Sequence, residues 1–159
     1  MSAQPFRRAA AIALIALSLA HSSVRSAEPA PIVHIVYMGG NDCPPCVNWR
    51  RFELPKLEKS EEFKAIRFSY VRKTVESYVP PTLFLPEEVK PLKAKLDSAC
   101  SSGGSPQTAI FVNGEVYDYF WGTRSAEEIV AMLAAIRSGT TYPFQRCLKL
   151  ERRECAVKG

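Results

Sequence analysis

Histidine is scarce in this chain, a second C-x-x-C motif is missing, and no apolar stretch is long enough to cross a bilayer. There are two histidines in 159 residues and one C-x-x-C pair, Cys43 and Cys46. A closed four-ligand zinc site, which draws on several such groups, is a poor fit to that supply, so no metal is expected. The apolar run Ala9–Ala20 has twelve residues, against the roughly 20 that a spanning helix requires. Repeats and low-complexity tracts are also lacking. With 47% hydrophobic and 23% charged residues, the chain has the composition of a globular domain with its own core.

The formal charge of +5 suggests an acidic partner, but its placement argues otherwise. Arg7, Arg8 and Arg25 lie in the first 27 residues, and without that segment 18 basic residues face 16 acidic ones. No nucleic-acid role is expected from so small an excess. The segment itself has the order of a secretory signal: Arg7 and Arg8, the apolar run, then small and polar residues with cleavage expected at Val24-Arg25-Ser26 or after Ala27. Residues 1–27 are therefore read as a signal peptide and the remainder as an exported chain, periplasmic or otherwise secreted, with no membrane insertion after cleavage. Export places the cysteines where disulfides form and persist.

The chemistry concentrates at Cys43-Pro44-Pro45-Cys46. The β-branched run Ile32–Met38 reads as a buried strand, Gly39-Gly40-Asn41-Asp42 as a turn, and the prolines after Cys43 as the first turn of a helix. Cys43 then sits at a helix N-terminus, where unpaired backbone N–H groups and the helix dipole favour the thiolate, the nucleophile of disulfide exchange. Pro44 and Pro45 offer no N–H, which leaves the amides of Cys46 and Val47 as donors to the Cys43 sulfur. Such a role requires that solvent reach the sulfur.

Strand, turn, C-x-x-C and helix in this order resemble the thioredoxin-like superfamily, in which the first cysteine attacks and the second resolves. A second motif supports the resemblance. Ser105-Pro106-Gln107 precedes the run Thr108–Val116, which contains the hairpin signal Asn113-Gly114, and the superfamily places a cis-proline at this point, facing the cysteines. The resemblance covers residues 32 to about 137. It implies an α/β thioredoxin-like fold over residues 28–139, a central mixed sheet of about four strands flanked by helices, with residues 140–159 as a C-terminal extension of unassigned role. It further implies Cys43 and Cys46 as the catalytic pair. Ser105, Pro106 and Gln107 would position the backbone of a protein substrate by strand addition. No organic cofactor is needed, and the expected partners are proteins bearing thiols or disulfides together with a redox partner that recharges the pair.

Two positions depart from the family pattern. Thioredoxins bury an acid six residues before the first cysteine, where this chain has Tyr37, and carry tryptophan immediately before it, where this chain has Asp42. The direction of electron flow is therefore open. Two rivals are kept: a copper- or zinc-handling protein that uses the C-x-x-C pair, and an interaction domain in which the pair is a permanent structural disulfide.

The rest of the chain completes the expected architecture. A helix from Pro44 should stop or kink at Pro55, Ala65–Val71 alternates as a second strand, and Val89, Leu92, Leu96 and Ala99 have helical spacing. Ser125 and Glu128 form a capping box that opens a helix ending at Gly139. Leu83-Phe84-Leu85 is expected to pack on the core, Trp49 to be a core aromatic, and Arg50 and Arg51 to form a solvated face. His34 receives no catalytic role. Of Cys100, Cys147 and Cys155 at most two can pair within the chain. A continuous helix would hold Cys147 and Cys155 about 12 Å apart, so a bridge between them needs a break. Pairing of Cys100 with a tail cysteine, or no pairing, is equally open.

Overall fold

The computed structural model describes residues 29–100, 103–149, 155 and 157; the segment read as a signal lies outside them, apart from which the element order follows the expected one. Strand β1 (Val33–Gly39) leads into helix α1 (Pro44–Phe52), the one-turn helices α2 (Leu54–Leu57) and α3 (Glu61–Lys64), and strand β2 (Arg67–Arg72). After short 3-10 turns at Thr82–Phe84 and Lys90–Leu92 come α4 (Lys93–Ala99), the hairpin β3 (Gln107–Val112) and β4 (Glu115–Trp121), and α5 (Ala126–Ser138). The sheet order is β2-β1-β3-β4, with β1 and β2 parallel and the other neighbours antiparallel. A mixed four-stranded sheet flanked by helices, with the C-x-x-C turn at the end of a central strand, is the thioredoxin-like architecture.

Strand β1 is buried along its whole length because both of its faces are covered. Val33, Ile35 and Tyr37 face a layer built from Trp49 of α1, Phe63 of α3 and Ile129, Leu133 and Ile136 of α5. Val36 and Met38 face Val79, Leu85 and Val89 of the long connection and Leu96 of α4. The alternation of a strand thus divides one apolar run between two cores.

Local signals set the ends of the elements. Asn113 and Gly114 both take positive φ, 52° and 80°, as a two-residue hairpin turn needs. Ser125 and Glu128 close their capping box, and Gly139 ends α5 in the left-handed conformation. Pro55 falls inside the separate turn α2, so the helix from Pro44 breaks at Glu53 and restarts.

The connection after β2 departs from expectation. Leu85 is buried, but Leu83 and Phe84 are 81% and 69% exposed. The 3-10 turn projects them outward, since its tight winding leaves Leu85 alone on the core side. The tail also answers the open cysteine question: Cys147 and Cys155 are joined, with Cα atoms 5.8 Å apart. Residues 140–149 are not helical, which permits the approach, and Cys100 is in neither disulfide.

Candidate active site

Cys43 is the N-cap of α1, in extended conformation at φ −115° and ψ 98°, and its Sγ accepts a hydrogen bond from the Cys46 amide at 3.2 Å. Pro44 and Pro45 occupy the first helical positions and are exposed. Of the two donors foreseen for this sulfur, the Cys46 amide serves it, while the Val47 amide bonds the Cys43 carbonyl oxygen at 3.1 Å as part of the helix ladder. Cys43 and Cys46 are joined in a disulfide, with Cα atoms 5.2 Å apart.

The pair is less open than a nucleophile's role suggests. Cys43 is 2% exposed and Cys46 is fully covered. Cys43 keeps a trace of exposure that Cys46 lacks. The order of attack implied by the resemblance is compatible with this, but the expectation of a readily accessible sulfur is corrected.

The turn beneath the disulfide is shaped by two glycines. A Cβ on Gly39 would stand 2.8 Å from Cys46 Sγ, and one on Gly40 would stand 2.4 Å from the Lys73 carbonyl oxygen. Asp42 does not cap α1; its carboxylate accepts the Val75 amide at 3.1 Å and ties the turn to the chain leaving β2. The Tyr70 hydroxyl donates to the Gly39 carbonyl at 2.9 Å, and Arg50 donates to the Tyr70 hydroxyl and, at 2.8 Å, to Asn41 Oδ1 while stacking over the Tyr70 ring. Arg50 thus clamps the active turn instead of lying on a solvated face. Sequence reasoning missed it because its partner sits on another strand, and the only available signal was its place two turns along the helix from Cys43.

The Ser105–Pro106 peptide bond is cis. Gln107 opposes Met38 in the β1–β3 register, so Pro106 stands level with Gly39, the residue that abuts Cys46 Sγ. The Pro106 carbonyl accepts the Gly122 amide at 3.0 Å. Ser105 is half-buried, with its hydroxyl 3.5 Å from the Thr74 carbonyl oxygen. The Gln107 side chain belongs to the core and not to the surface of the loop. It is fully buried, and its Oε1 accepts from the Tyr119 hydroxyl at 3.0 Å and from the Cys100 thiol at 3.5 Å. Strand alternation turns it to the inner face, one residue past the loop.

Tyr37 packs face to face with Trp49, ring centroids 4.4 Å apart, and its hydroxyl is buried without a hydrogen-bond partner. Burial holds that phenol well above its ordinary range, so it stays protonated. Trp49 is a core aromatic, as expected, and donates its indole N–H to the Arg124 carbonyl at 2.7 Å. His34 is also structural: its Nε2 meets Ser69 Oγ at 2.9 Å, Ser69 in turn donates to Glu88, and burial pushes the imidazole pKa down. Among the described residues no three His, Cys, Asp or Glu side chains converge as a metal site would require. Beside the prolines opens a cleft of about 530 Å³ walled by Pro44, Pro45, Trp49, Phe52, Glu53 and Arg124.

Lys73 directly follows β2, and its amide donates to the Gly39 carbonyl at 3.1 Å; its side chain is buried, the residue being 5% exposed, with Nζ donating to the Ser77 carbonyl at 2.7 Å. Burial brings its pKa down from 10.5 to about 8, with Cys100 partly opposing the shift. Below pH 8 the ammonium is charged in both the folded and the unfolded chain, and its buried charge costs stability. As pH rises from about 8 to 10.5 the folded chain sheds that charge while the unfolded chain keeps it, so this group's contribution becomes more favourable. The unfolding free energy of the wild type should therefore climb relative to that of Lys73→Met across this window, by up to about 3 kcal/mol. Denaturant titrations at several pH values test this, and parallel profiles for the two proteins would contradict it.

No protein-family model matches this chain, and no curated protein matches it. Among solved structures it is similar to the periplasmic thioredoxin SoxS from Paracoccus pantotrophus in its reduced form, at 14% sequence identity. The match covers 67% of this chain and 96% of that one, with a TM-score of 0.41.

Proposed function

We propose that this chain is an exported thiol–disulfide oxidoreductase that exchanges disulfides with protein substrates through Cys43 and Cys46. The observation that carries the reading is the disulfide at the first turn of α1, with Cys43 as N-cap and its sulfur held by the Cys46 amide. That amide and the start of the helix are placed to stabilise the thiolate formed when the bond opens.

From the oxidised state, a substrate thiolate attacks Cys43 Sγ, the Cys43–Cys46 bond breaks, and its electron pair leaves on Cys46. A second substrate thiolate then attacks the substrate sulfur of the mixed disulfide, which releases an oxidised substrate and the Cys43 thiolate. The reverse sequence reduces a substrate disulfide, with Cys46 attacking Cys43 to resolve the mixed disulfide. The backbone of Ser105 and Pro106 is the proposed contact for the substrate segment, and the apolar cleft at Pro44, Pro45 and Phe52 lies where that segment's side chains would rest. The cysteine pair is the whole redox group and takes no cofactor; a separate redox partner recharges it.

The near-complete cover of Cys43 favours a second reading, a closed structural disulfide in a non-catalytic domain. The reduction potential separates the two. An oxidoreductase pair should equilibrate with glutathione or a dithiol buffer at about −120 to −270 mV, whereas a structural bridge should lie below about −300 mV. A Cys46→Ala variant, in which the mixed disulfide is not resolved, should accumulate covalent adducts with substrate proteins in the exported fraction. A potential below the structural limit together with no adducts would establish the second reading.

A further inference from the structure

The C-terminal tail lies outside the elements that build the site, yet it reaches them through an unbroken series of contacts. The edge strand β4 is covered by the tail: the Tyr119 amide donates to the Cys147 carbonyl at 2.7 Å, and the Val157 amide donates to the Trp121 carbonyl at 2.8 Å. Asp118, buried in β4, accepts the Cys147 amide at 2.8 Å and the Tyr142 hydroxyl at 2.9 Å. The Cys147–Cys155 disulfide links the first of these anchor points to a residue two positions before Val157. Cys147 and Cys155 belong to one core layer while Val157 packs against the other, so the described tail residues touch both layers at the sheet edge.

What the tail meets there is the turn that holds the proline loop. A Cβ on Gly122 would stand 3.0 Å from Val157 Cβ, which shows how closely the tail sits over this residue, whose φ of 90° suits glycine. The Gly122 amide in turn donates to the Pro106 carbonyl at 3.0 Å. On the other side of the loop, the position of a Cβ on Gly104 lies 3.6 Å from the Trp121 indole nitrogen. Trp121 and Gly122 are thus held by the tail on one side and hold residues 104–106 on the other.

We propose that the tail, closed by Cys147–Cys155 and seated through Val157, is a positioning element for the Pro106 loop and thereby governs engagement of protein substrates. The inference rests on the function proposed above. Without the tail, Trp121 and Gly122 lose their outer support, and the Pro106 carbonyl loses a fixed donor. A macromolecular substrate that pairs with this loop loses its register, while a small thiol that needs only the Cys43 sulfur does not.

The test uses the full chain with its cysteines oxidised, and measures single-turnover oxidation of two probes, reduced unfolded ribonuclease A and glutathione. Val157→Gly and the double variant Cys147→Ala/Cys155→Ala should react with ribonuclease about tenfold more slowly, the scale of one lost backbone hydrogen bond, and with glutathione at the wild-type rate. The half-saturating ribonuclease concentration should rise while the limiting rate holds, and Val157→Ile should restore wild-type behaviour. The Gly122 amide should exchange hydrogen faster in the impaired variants, a readout independent of turnover. Equal losses with both probes, or unchanged rates with a faster-exchanging Gly122, would overturn the proposal. A wild type inert toward both probes would instead refute the oxidoreductase reading on which it stands.

Discussion

Cys43→Ser should abolish disulfide exchange, lowering turnover of protein substrates by roughly a thousandfold or more, the scale seen when a nucleophile is removed. Serine keeps an acceptor for the Cys46 amide and so preserves the N-cap, which separates chemistry from folding. The remaining Cys46 is fully covered and does not meet substrate in its place. Insulin reduction with a dithiol as electron source measures the loss. Retained activity in the folded variant would mean that the reactive thiol lies elsewhere.

Tyr37→Ala should be among the most destabilising substitutions in the domain, at about 3–5 kcal/mol, the usual cost of truncating a buried aromatic. Tyr37 is 1% exposed, stacks on Trp49 and lies 6.0 Å, centroid to centroid, from the Tyr70 ring that helps hold the active turn. Its ring edge and Cys46 Sγ both press on the space over Gly39, so the cavity would open directly beneath the disulfide. A fall in melting temperature of roughly 10–20 °C follows from that cost. Tyr37→Phe should behave in the opposite way. It keeps the stack and removes a buried hydroxyl that has no partner, so stability should be unchanged or slightly higher. Thermal denaturation of the two variants checks both statements, and a Phe variant as unstable as the Ala variant would show that the hydroxyl is engaged after all.

The fold was legible in the chain because its signals are local. A β-branched run ended by two glycines, prolines after a cysteine, Asn113-Gly114, and Ser125 three residues ahead of Glu128 each prescribe a backbone geometry within a few residues, and every one of them forms. The same holds for Cys43 as N-cap, since that position needs only the helix that follows it. The finer readings failed where the partner is distant in sequence. Arg50 looked like a surface charge until β2 brought Tyr70 beneath it. The place of the Gln107 side chain was not legible either, because the β1–β3 register is what turns it into the core.

Residue types and short spacings therefore specified the elements, their order and the cysteine pair at a helix start, because dihedral preferences, capping and hairpin turns act over a turn or two of chain. The exposure of Cys43, the clamp on Gly39 to Asn41, the pairing of Cys147 with Cys155 and the contact of Val157 with the Gly122 turn were settled by packing. Such contacts join segments tens of residues apart. Their energies exist only once the sheet has brought those segments together, and no window of sequence contains them.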